Sequence, residues 1–98
     1  MARLEFTAAA EGDLESIGDY IAQDNPLAAI RMVLDIRDHC RKIASMPAIG
    51  RSRPELGTGL RSLSVSPYLI LYRAENADRV IVIRIVHGAR DLPHVMRD

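Results

Sequence analysis

The chain is poor in several residue types, and each scarcity removes a class of function. Cysteine occurs once, at Cys40, and tryptophan is absent; Phe6, Tyr20, Tyr68 and Tyr72 are the only aromatic residues. A lone cysteine excludes a disulfide framework and a cysteine metal site within the chain. His39, His87 and His94 lack the spacing of zinc ligands, so neither a metal nor any other cofactor is expected. A platform for single-stranded RNA stacks bases on exposed aromatics, and most of the four here read as core. Lysine also occurs once, at Lys42, and thirteen basic residues balance thirteen acidic ones. Net charge therefore makes no case for nucleic acid. No apolar run approaches the roughly 20 residues of a membrane span. The charged start, Met1-Ala2-Arg3-Leu4-Glu5, has no apolar stretch of the kind a secretory signal needs, so a cytoplasmic protein is expected. Gly-rich phosphate loops, nucleophile elbows and carboxylate clusters with metal spacing are missing too.

What remains is a composition that folds. Ninety-eight residues, 48% of them hydrophobic, make one domain, 1–98, with a core. Charge is unevenly spread: residues 1–49 hold eight acids against five cations, and residues 50–98 hold eight arginines against five acids. Arginine makes planar, two-pronged contacts and tolerates partial burial better than lysine. Some of these arginines are therefore expected in interfaces or ion pairs.

The strongest pattern lies in the second half. Arg61 to Val65 alternates apolar and polar residues, the period of a strand with one buried face. Tyr68-Leu69-Ile70-Leu71-Tyr72 suits a central strand. Val80 to Val86 is mostly β-branched. Ser66-Pro67 and Asn76-Ala77-Asp78 separate these runs as bends. Ahead of them, Arg3-Leu4-Glu5-Phe6 reads as a short strand that must join the same sheet. Thr7 caps a first helix whose stripe is Ala10, Leu14, Ile17 and Ile21, with Glu11, Asp13, Glu15 and Asp19 on the other faces, most simply solvated and alternatively a docking surface for a basic partner. Asn25 or Asp24 caps a second helix with Pro26 at its first position, running to about Ser45. Its stripe is Ala29, Val33, Ile36, Cys40 and Ile43, widened by Ile30 and Leu34 beyond what one sheet face requires. Arg31–Asp35 and Asp38–Lys42 are spaced for helical ion pairs. Residues 47–59 read as a loop. The expected fold is α+β: an N-terminal strand, an αα-hairpin, then a three-stranded antiparallel meander, with both helices on one face of the sheet.

Polar residues gathered where a buried strand ends are the natural place to look for function, here His87-Gly88-Ala89-Arg90-Asp91. Histidine serves as a general acid or base near neutral pH; a strand-end histidine bonded at the core rim is the plainer alternative. Arg84 interrupts an apolar strand, on the face of Val80, Val82 and Val86, and needs a partner or solvent. Arg61, Arg84, His87 and Arg90 converging on one anionic pocket would suit phosphodiester chemistry on RNA.

Several segments, taken in order, resemble the ParE branch of the RelE/ParE toxins of bacterial type II toxin–antitoxin systems. They are Ala10-Glu11-Gly12-Asp13-Leu14 with Ile17 and Tyr20-Ile21; Pro47 with Ile49-Gly50-Arg51; Arg53-Pro54-Glu55-Leu56; Leu60-Arg61-Ser62; Tyr68 to Arg73; and Val86-His87-Gly88-Ala89-Arg90-Asp91. The likeness runs from Leu4 to Asp91. It implies the fold above and a ParD-like antitoxin, in a heterotetramer or larger complex that meets operator DNA only through the antitoxin. It also implies DNA gyrase as the target, with no catalytic residues. On that reading Arg61, Tyr72, Arg84, His87 and Arg90 are candidates for target contact. Ile17, Ile21, Val33 and Ile36 are candidates for antitoxin contact or helix packing. The RelE-like alternative, ribosome-dependent mRNA cleavage, would make Arg61, His87 and Arg90 catalytic, although a lysine-rich catalytic face is missing. A non-toxic module for operon autoregulation is the third reading.

Overall fold

The computed structural model describes residues 1–88; Arg90 and His94 therefore lie outside the described residues. The order is β1 (Arg3–Phe6), α1 (Ala8–Ala22), α2 (Pro26–Ser45), a 3-10 turn (Pro47–Ile49), β2 (Arg51–Ser52), β3 (Leu60–Val65), β4 (Tyr68–Asn76) and β5 (Arg79–His87). The strands form one sheet ordered β1-β5-β4-β3-β2. β3, β4 and β5 are the antiparallel meander, and β1 joins β5 in parallel. The α+β architecture expected above is the one observed. The stretch 47–59 is more ordered than a plain loop: it holds the 3-10 turn and β2, which pairs antiparallel with β3 at Ser62 and Arg61.

Helix starts follow the local chemistry. The Thr7 Oγ1 accepts the Ala10 N–H at 3.0 Å, and the Asn25 Oδ1 accepts the Ala28 N–H at 3.0 Å, each satisfying an otherwise orphaned donor of the first turn. Pro26 follows at the first helical position. Asp35 and Asp38 on α2 take His39 and Arg41 as partners, in place of the expected Arg31 and Lys42. The alternatives sit equally close on a helix surface.

One core lies between the helices and the sheet, where Leu14, Ile17, Ile36 and Ile43 meet Ile70, Tyr72, Val80, Val82 and Ile85. On the other face Leu71 and Val86 are buried beneath Leu56 and Leu69. β4 is thus covered on both sides, as its unbroken apolar run predicts. The side assigned to part of β5 needs correction. Leu71 pairs with Arg84 but Tyr72 pairs with Val82, so Ile83 is an extra residue in β5. Such a bulge shifts the alternation by one. Ile85 consequently joins Val80 and Val82 on the helix side, and Val86 goes to the other.

Cys40 is fully buried on α2. Burial pushes its thiol up from 9.0 to about 12, against the pull of Arg37 and then Arg41. In the unfolded chain the thiol ionises first, so the unfolded state binds fewer protons above pH 9.0 and stability falls as pH rises. The slope from this group approaches about 1.4 kcal/mol per pH unit. Thermal unfolding across this range should show that loss, and Cys40→Ala should flatten it. A slope identical in the variant would contradict the assignment.

Candidate functional site

Two regions carry the residues of interest. The first is the seam between α1 and α2. Gly18 approaches α2 closely enough that a Cβ there would sit 3.4 Å from Val33 Cγ2. Small side chains at Gly18, Ala22 and Ala29 leave an open groove of about 400 Å³, walled by Pro26, Ile30, Val33 and Leu34. Ile30 and Leu34 are 57% and 54% exposed, and Leu27 beside them is exposed as well. Exposed aliphatics gathered on one rim mark an interaction surface. Among the four antitoxin-contact candidates, Ile36 and Ile17 are buried in the core, and Ile21 and Val33 are partly buried against it. Val33 alone of the four lines the groove. Ile30, Leu34 and Leu27 do the exposing. Their signal was the excess width of the α2 stripe, at positions one turn apart and off the buried line.

The second region is the sheet, where the polar candidates divide: Tyr72 and Arg61 meet at Gly50, apart from Arg84 and His87 on β5. Tyr72 is fully buried. Its hydroxyl donates to the Pro47 carbonyl at 2.7 Å and accepts the Gly50 N–H at 2.9 Å. Burial raises its pKa above the ordinary 10.0, while the Gly50 bond and the Arg61 guanidinium pull the other way. Tyr72 thus clasps the 3-10 turn from inside and leaves no surface for a partner. Arg61, its cross-strand neighbour on β3, donates Nη1 to the Gly50 carbonyl at 2.8 Å. Arg84 turns to α1: Nε and Nη2 meet the two Asp13 carboxylate oxygens at 2.8 and 3.1 Å. β4 stands between the two strands, so Arg61 and Arg84 reach opposite margins of the sheet. Of the anionic pocket expected from Arg61, Arg84, His87 and Arg90, Arg84 and His87 share β5, Arg61 stands apart from them beyond β4, and Arg90 lies outside the described residues.

Asp13 is also not on a solvated face. Its carboxylate accepts the Ile85 N–H at 2.9 Å besides the Arg84 pair. Together with Thr7, whose N–H donates to the Val82 carbonyl and whose hydroxyl donates to that of Ile83, it closes the part of β5 that extends past β1. His87 ends β5, exposed, with its ring edge-on to Tyr68 at 5.8 Å. It borders a cleft of about 410 Å³ with Asp13, Ser16 and Tyr20.

Several other arginines of the sheet half hold structure. Arg53 binds Glu55 at 2.8 Å and Ser62 Oγ at 3.1 Å, and Arg73 donates to the Thr58 carbonyl at 3.1 Å. Arg79 grips Glu5 across β1 and β5 with two bonds, at 3.0 and 2.9 Å. That bond, more than the one from Arg3, keeps the Glu5 carboxyl below its usual range. No helix among the described residues is long and apolar enough to cross a membrane.

Comparison with known proteins agrees with this geometry. Residues 4–92 match the family model described as the ParE toxin of the type II toxin–antitoxin system parDE. Toxin ParE3 of Caulobacter vibrioides is 31% identical over 94% of this chain and 92% of its own length. Toxin RelE2 of the same organism is 42% identical over 92% of this chain and 99% of its own length. A solved structure described as the chromosomal ParDE TA system from P. aeruginosa superposes with a TM-score of 0.74 and 27% identity, covering 89% of this chain and 96% of that one. A sheet of this order, a helical hairpin with an open apolar seam, and likeness along nearly the full length lead to one conclusion: the chain belongs to the ParE toxin family of type II toxin–antitoxin systems.

Proposed function

We propose that this toxin acts on DNA gyrase and is held inactive by an antitoxin of the ParD kind, part of which lies along the α1–α2 groove. The observation that carries the reading is the separation of Arg61 from His87: β4 stands between their strands, and Arg61 pairs with Tyr72 while His87 pairs with Tyr68. Arg61 is spent on the Gly50 carbonyl and Arg84 on Asp13, and general acid–base cleavage needs its groups within reach of one phosphodiester. An inhibitor that binds its target by surface complementarity has no such requirement. The name ParDE on the P. aeruginosa structure supports a ParD-like partner. The groove supplies a seat for an amphipathic helix, and the outer edge of β3 past Ser62, which β2 leaves uncovered, supplies one for an added strand.

A supercoiling assay with gyrase, ATP and the free toxin, run beside cleavage of a translated mRNA, tests the target. Lost supercoiling with intact mRNA is expected. The RelE2 relative keeps RNA cleavage as the alternative, and cut mRNA with intact supercoiling would establish it. Ile30→Asp places a charge in the groove and should weaken the antitoxin at least about thirtyfold, by the desolvation cost of a buried charge. Titration calorimetry reads this directly.

A further inference from the structure

The groove does not end where its apolar walls end. α1 and α2 run antiparallel, and past Gly18 and Val33 the seam continues toward the start of α1 as a second open cavity of about 640 Å³. There the α1 wall carries Glu11, Glu15 and Asp19, and α2 supplies Arg37. Arg37 is committed: it lies 3.7 Å from Glu11 and stacks over Phe6 at 5.6 Å. Glu15 and Asp19 are exposed and have no cationic partner among the described residues. One seam therefore has an apolar end, at Ala22, Ile30 and Leu34, and an acidic end, at Glu15 and Asp19.

We infer that the antitoxin segment lying in this seam is itself two-ended: apolar where it meets Ile30 and Leu34, and bearing Lys or Arg where it crosses Glu15 and Asp19. The inference rests on the groove reading above and adds the charge and direction of the occupant. From Ala22 back to Glu15, α1 advances about 10 Å. A helix laid along it carries its basic residues about two turns beyond its apolar anchors. Glu15 and Asp19 are one turn apart on α1 and so face the same occupant. Complementary charge here sets register and speeds encounter more than it adds affinity. A second copy of this chain fits poorly. A two-fold axis across the seam would lay its acidic end on the apolar end of its mate, and carboxylates pressed onto Ile30 and Leu34 lose hydration without a partner.

The test uses the intact toxin and its ParD-like antitoxin proposed above, with affinity and association rate measured at about 0.05 M and about 0.5 M salt, where screening is weak and strong. Glu15→Lys with Asp19→Lys should weaken binding at least about tenfold at low salt, mainly through slower association, and the gap should close at high salt. Glu15→Gln with Asp19→Asn should fall between. All three positions tested, Glu15, Asp19 and Ile30, are exposed, and circular dichroism of each variant verifies folding. If the charge reversals leave binding unchanged or tighten it while Ile30→Asp abolishes it, the charge assignment is overturned and the groove reading stands. If Ile30→Asp leaves antitoxin binding intact, both fall. The free toxin is also sedimented: a dimer that Ile30→Asp turns into a monomer, with antitoxin binding unaffected, would make a second copy the occupant.

Discussion

Asp13→Ala is expected to lower the unfolding free energy by about 2–4 kcal/mol, the range for breaking a hydrogen-bonded ion pair, reduced because the pair is partly wet. The Asp13 and Arg84 side chains are 17% and 22% exposed. The loss exceeds one interaction because the carboxylate accepts three bonds, two from Arg84 and one from the Ile85 N–H. The Ile85 N–H lies where β5 runs on beyond β1, so the substitution also opens a strand edge. Open edges template pairing with other chains, and concentration-dependent self-association should accompany the loss. Asp13→Asn, which keeps an acceptor for the backbone donor, should cost less and associate less. Urea unfolding and sedimentation read the two effects separately. A change in stability below about 0.5 kcal/mol, the usual scatter of surface substitutions, would show that the carboxylate contributes little.

Tyr72→Phe is the second large effect, at about 2–4 kcal/mol. The benzyl ring still fills its place in the core, so the cost comes from the hydroxyl. Without it the Gly50 N–H loses its partner in a buried setting and the Pro47 carbonyl loses one in a part-buried setting; a buried orphan costs about 1–3 kcal/mol and a part-buried one less. Gly50→Ala probes the same clasp from the other side. A Cβ there would stand 2.5 Å from the Tyr72 hydroxyl oxygen and 2.9 Å from the Ser62 carbonyl oxygen, closer than atoms tolerate. Gly50 has an extended backbone, φ −76° and ψ 158°, so glycine is required for room rather than for conformation. Both variants should loosen the 3-10 turn and β2 first, visible as faster amide exchange there than in α1. Uniform loss of protection across the whole chain would argue against a local clasp.

Much of this was legible beforehand, and the reason is local. Thr7, Asn25 and Pro26 mark helix starts because capping is decided within four residues. The Tyr68–Tyr72 run indicated a central strand because only a strand covered on both faces has no polar side to show. The excess width of the α2 stripe pointed to an unfilled surface, although Ile17 and Ile36 proved to be core and the exposed side chains are Ile30 and Leu34. The segments resembling ParE lie in order along the chain, and the family match follows them from residue 4 to residue 92.

What periodicity missed was long-range. Asp13 and Arg84 are 71 residues apart in the chain, and an acid on an amphipathic helix looks solvated until its partner strand is in place. The Ile83 bulge reverses the sides of β5 without altering its composition, because it depends on pairing with β4. The short β2 has two residues, too few to show a period. The sequence by itself determined the α+β elements, their order, their caps and the surplus apolar arc, all properties of neighbours within a few residues. Only the tertiary structure decided that Tyr72 faces inward as a clasp, that Arg61 and Arg84 stand on opposite sides of β4, and that the acids of α1 line one seam with the aliphatics of α2. Those facts depend on which distant segments pair, and pairing is settled by the packing of the whole core.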